Sequence, residues 1–101
     1  MATALGRYQH KLYLAIGSRW NLRIQQTMAQ IGVDRVVIRF HVNPDGSISD
    51  LDVIQGNPNS MLSVVSADSI QQSSNLIGPF PDDLKKDKPN GFPWQLAFRI
   101  Y

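Results

Sequence analysis

The two imidazoles, His10 and His41, are the side chains best suited to metal ligation or to proton transfer near neutral pH. They fall on different predicted elements, and neither has a carboxylate at a ligand spacing. Two acidic pairs, Asp50/Asp52 and Asp82-Asp83, are of the type used in acid–base catalysis. Each has a plainer role, on the exposed face of a hairpin and in a charged loop. No serine sits in a nucleophile elbow, and the glycines are scattered singly, so no glycine-rich loop can cradle a phosphate. Lys85, Lys86 and Lys88 form a basic cluster, but Asp82, Asp83 and Asp87 interleave with it and cancel its field. There is no cysteine, hence no disulfide and no thiolate site. The residue types therefore predict no catalytic, cofactor or metal site, and no enzyme.

With 101 residues and 43% hydrophobic content, the chain reads as a single domain over 1–101 with a core of its own. The net charge of +2 is too small to argue for nucleic acid. All eight acidic residues are Asp, which favours caps and turns over helix interiors. The longest apolar run, Leu12 to Ile16, is five residues, so neither a membrane span nor a signal peptide is expected within this sequence.

Leu5, Tyr8, Leu12, Ile16 and Trp20 recur at steps of three and four and predict a helix over 5–20. Asn21 to Gly32 has no clean period and reads as an irregular or partly helical connection. Val33 to Val42 alternates as a strand, Asn43-Pro44-Asp45-Gly46 signals a turn, and Ser47 to Gln55 returns antiparallel. Placing Val42 opposite Ser47 sets Ile38 against Leu51, Val36 against Val53 and Arg39 against Asp50. Ile48 is then out of phase unless a bulge lies between Ile48 and Leu51. A second helix over about 60–73 follows, capped by Asn57 or Asn59, with Leu62, Val65, Ser69 and Ile70 inward. Asp82 to Gly91 reads as a loop. In the last strand, Pro93 to Tyr101, Trp94, Leu96, Phe98 and Ile100 form one face; Gln95, Ala97, Arg99 and Tyr101 form the other. Trp20, Phe40, Phe80, Trp94 and Phe98 are expected in the core rather than on a base-stacking platform, with both tryptophans largely buried.

The predicted fold class is α+β: two layers, topology α-β-β-α-β, with two helices on a three-stranded antiparallel sheet of order 2-1-3. That order makes the last strand an edge whose unpaired N–H and C=O groups can accept an extended peptide.

The ordered combination resembles a known pattern. Tyr8, Leu12, Ile16 and Trp20 lead; Val-Asn-Pro-Asp-Gly (42–46) and Ile48, Leu51 and Val53 follow. A capped helix then runs to Pro79-Phe80-Pro81, and an alternating strand ends in an aromatic. Over nearly all of 7–101 this is similar to the C-terminal domain of the TonB/TolA family of envelope energy transducers. The chain departs from the family in Gly56-Asn57 after the second strand, in Asp82-Asp83 after Pro-Phe-Pro, and in lacking cysteines. It also lacks the family's membrane anchor and Pro-rich spacer, so it is expected to be a domain excised from a longer protein, with Met1 an added start.

The resemblance implies a periplasmic domain of an inner-membrane-anchored transducer. Its implied partners are an outer-membrane receptor or a Tol-system protein, with an inner-membrane motor complex reached through N-terminal regions. The partner's peptide would add beside the last strand. The expected partner-binding residues are Phe92, at the entrance, and Gln95, Ala97, Arg99 and Tyr101 along the edge. The alternative is a self-associating module, a strand-exchanged homodimer; no cofactor and no nucleic acid are expected.

Overall fold

The computed structural model describes residues 3–27 and 34–100. Helix α1 (Ala4–Thr27) leads into strands β1 (Asp34–Val42) and β2 (Ile48–Gln55). Helix α2 (Met61–Ile77), a short helix α3 (Asp82–Asp87) and strand β3 (Phe92–Ile100) complete the order. The expected α+β architecture and the antiparallel sheet order β2-β1-β3 hold, with α3 added where a charged loop was expected.

The helix periodicity of α1 buries Tyr8, Leu12 and Ile16, and Ile24 extends the stripe one turn beyond Trp20. This corrects the irregular connection expected from Asn21. The helix runs to Thr27 because Ile24 reaches the core and Arg23 pairs with Asp68 of α2. The rest of that expected connection lies outside the described residues. In α2 the predicted inward set, Leu62, Val65, Ser69 and Ile70, is buried. Its cap is Ser60 rather than Asn57 or Asn59; the Ser60 hydroxyl accepts from Ser63 N at 3.1 Å. Asn57 is committed to its own turn, its side chain accepting from Asn59 N at 2.9 Å. The short α3 has Asp82 and Asp83 in its first turn and Lys85 and Lys86 in its last, as the helix dipole favours, and the buried Leu84 docks it.

Val36, Ile38, Phe40 and Val42 of β1 are fully buried under the helices. The predicted pairing with β2 is corrected: Val42 lies opposite Ile48, Arg39 opposite Asp52 rather than Asp50, and Ile38 opposite Val53. Asn43 N donates to Ser47 O at 2.9 Å, closing the turn one residue later than assumed. The bulge foreseen between Ile48 and Leu51 is present, with Asp50 at φ 54°, and it lets Ile48, Leu51 and Val53 all pack against the core. Trp20 and Trp94 are half-buried rather than enclosed. Trp20 Nε1 donates to Ser66 Oγ at 2.9 Å, and Trp94 lies 5.9 Å from the Phe40 ring.

The hairpin turn also clamps the loop before α3. Phe80 N donates to Pro44 O at 2.9 Å, and Gly46, at φ 90°, passes so close to Gly78 that a Cβ would lie 2.5 Å from its carbonyl oxygen. Gly46→Ala therefore meets both a left-handed backbone and a clash. It should cost about 1–3 kcal/mol and lower Tm by at least about 5 °C. Asp45 accepts from Ser47 Oγ (2.6 Å) and Ser47 N (2.9 Å), and these bonds hold its carboxyl below the usual carboxylate range. A depressed folded-state pKa stabilises above the unfolded value and is lost as pH falls through the folded one. Melts taken from about pH 5 downward should show an Asp45-dependent loss that Asp45→Asn lacks.

Candidate functional site

β3 pairs with β1 without a register break, from Asp34 opposite Ile100 to Val42 opposite Phe92. Asn43 turns its N–H toward β2, and backbone groups alternate sides along a strand. The odd-numbered residues of β1 therefore face β2, and the even ones face β3. The even residues of β3 bond back to β1, and the odd ones, Pro93, Gln95, Ala97 and Arg99, turn their backbone groups to the open edge. Pro93 fits this phase, because its missing N–H takes no bond from the ladder. Among the described residues, no further strand covers that edge.

The predicted site residues separate. Gln95, Ala97 and Arg99 are exposed and lie side by side on the face away from the helices. Phe92 does not lie at an entrance. It is 4% exposed, and its ring stacks on Phe80 (5.7 Å) and meets Tyr8 edge-on (6.4 Å), so it anchors the strand from below. Burial, with the Asp45 charge second, pushes the Tyr8 hydroxyl above its ordinary pKa, and that hydroxyl donates to Gly78 O at 2.7 Å. Tyr101 lies outside the described residues.

Two features of the edge were not read from the sequence. The first is an arginine pair on the outer face: Arg35 stands opposite Arg99 and donates to Gln55 Oε1 at 2.8 Å, while Arg39, opposite Gln95 on this side, has Asp52 of β2 across from it on the other. The second is a groove of about 400 Å³ on the inner side, walled by α1 residues Tyr13, Leu14, Gly17 and Trp20 and by Leu96 and Phe98. No residue of α2, β1 or β2 lines it, so it lies along the edge side of β3. Tyr13 and Leu14 are 56% and 54% exposed. Their signal in the sequence was two adjoining large apolar residues off the core stripe of α1.

The other candidates stay apart. His10 is exposed on α1, while His41 Nε2 lies 2.7 Å from the Asn90 carbonyl oxygen. Asp83 pairs at the surface with Arg7 at 3.2 Å. No cluster of metal-ligating side chains occurs among the described residues.

No protein-family model matches the chain, and no curated protein matches it at a significant level. Its structure is similar to two solution structures of the Helicobacter pylori TonB C-terminal domain. The longer aligns with a TM-score of 0.63 at 20% identity, covering 94% of this chain and 80% of its own. The shorter gives 0.59 at 19% identity, covering 93% and 92%. The chain has a TonB C-terminal-like fold.

Hydrogen exchange checks the backbone phase of β3. The amides of Gln95 and Ala97 should exchange at least about tenfold faster than those of Leu96 and Phe98. Equal protection of both sets would mean that the edge is covered.

Proposed function

We propose that this is a non-enzymatic protein-binding domain of an envelope energy transducer. It engages an outer-membrane receptor or a Tol-system protein in the periplasm by taking an extended segment of that partner as a fourth strand on β3. The observation that carries this reading is the nine-residue, unbroken edge with the backbone groups of Gln95, Ala97 and Arg99 directed outward. The opposite edge is a poorer template. β2 carries two register shifts, and bulges of this kind blunt an edge against pairing. The TonB C-terminal-like fold supports the choice of transducer, and the inner-membrane motor would be reached through other parts of such a protein. Among the described residues, no helix is long and apolar enough to cross a membrane.

Proline scanning tests the edge directly. Ala97→Pro removes an outward N–H and should leave the fold intact while weakening a receptor-derived or Tol-partner peptide at least about tenfold. Leu96→Pro removes a bond to β1 and should destabilise the fold itself. Binding unchanged in Ala97→Pro, or NMR shifts that leave 93–99 untouched, would overturn the reading. A concentration-dependent dimer that Ala97→Pro abolishes would assign the edge to self-pairing instead.

A further inference from the structure

Gly17 is out of place in energetic terms. It sits inside a 24-residue helix, where glycine is less favourable than any residue except proline. Its backbone is helical, so no left-handed conformation calls for it, and a Cβ built there would meet nothing within 4 Å. Neither close packing nor a turn accounts for it. What its missing side chain does is leave open the α1 wall of the groove that faces Leu96 and Phe98.

Resting on the strand-addition reading above, we infer that this groove is a side-chain subsite for the added strand. We infer further that the segment it selects alternates large aliphatic with acidic residues. Geometry sets the alternation. Side chains of an added strand that lie beside Leu96 and Phe98 point toward the helices and enter the groove at Gly17, between Tyr13 and Trp20. Those that lie beside Ala97 and Arg99 point to the outer face, where Arg35 and Arg99 stand opposite each other; Arg39 lies two outer-face pairs away and is matched by Asp52 of β2. Acidic side chains complement that face. A second copy of β3 would instead bring its own Arg99 onto it, and like charges at cross-strand positions repel. The charge therefore favours an acidic partner segment over self-pairing.

The probe is a blocked peptide of about nine residues alternating aspartate with valine. It is titrated into the protein with amide shifts as the readout, beside versions with alanine for valine and lysine for aspartate. The parent peptide should bind saturably, shifting amides of 95–99 and 13–20, and each altered peptide should bind at least about tenfold more weakly. Gly17→Ala should melt several degrees higher and bind nearly as the native chain does. Gly17→Leu should also melt higher, yet bind about tenfold or more weakly, because its side chain fills the groove. A stabilised Gly17→Leu protein that binds with native affinity would overturn the subsite while leaving strand addition standing. So would indifference to valine-to-alanine exchange, or failure of the parent peptide to bind where a receptor-derived peptide does. Binding of the parent peptide that is unaffected by Ala97→Pro would overturn strand addition itself.

Discussion

A three-stranded sheet can satisfy both sides of its central strand only. β1 spends its odd-numbered backbone groups on β2 and its even-numbered ones on β3, which leaves half the groups of each outer strand without a neighbour in the sheet. The two edges answer this constraint differently. β2 twists out of register twice, with Asp50 in a left-handed conformation, so its open groups do not form a continuous row. β3 keeps step with β1 for nine residues and presents an evenly spaced row. One edge is blunted and the other is kept straight, which makes the fold directional as a template for pairing.

A straight edge is useful only if it is held still, because ordering a floppy strand on binding opposes affinity. β3 is anchored at both ends by aromatic packing. At its start, Phe92 stacks on Phe80, Tyr8 meets both rings edge-on, and the Phe80 backbone is tied to the hairpin turn through Pro44. Near its end, the Phe98 ring packs at 5.7 Å from Trp20, whose indole is fixed by Ser66. Between these anchors, Ala97 is exposed and small, leaving the middle of the edge unobstructed. The residues that shape the edge therefore lie mostly on other elements, and disturbing the Gly46–Gly78 junction acts on β3 at a distance.

The strands with the cleanest alternation were legible from residue types alone. In β1 and β3, period-two patterns put Val36, Ile38, Phe40 and Phe98 inside and Arg39, Gln95 and Arg99 outside, and the sheet order followed from connectivity. The β2 register was not legible, because Ile48 and Leu51 are an odd number of residues apart and only a bulge reconciles them; its position depends on the turn that Asn43 and Ser47 close. The end of α1 was hidden because its last turns are polar, and packing against α2 outweighs their weak pattern. Phe92 shows the limit of reading a site by nearness in sequence. It adjoins the edge residues, yet the phase of the strand turns it into the core. The groove was invisible for a different reason, since Tyr13, Leu14 and Gly17 acquire a common purpose only when α1 is laid beside β3.

How α1 comes to lie there depends on α2. Ser63, Ser66, Ser69, Ser73 and Ser74 are all buried, and Ser66 accepts from Trp20 of α1. Their burial is tolerated because the hydroxyls are satisfied locally. Ser69 and Ser73 donate back to the Val65 and Ser69 carbonyls at 2.8 and 2.7 Å, and Ser74 to Gln71 O at 2.8 Å. α1 packs against α2, which itself contacts β1 and β2. Tyr13 and Leu14 are then left on the outer flank of α1, beyond the reach of α2, and the space between α1 and β3 stays open. Through Ser66, α2 thus holds Trp20, one wall of the groove beside β3.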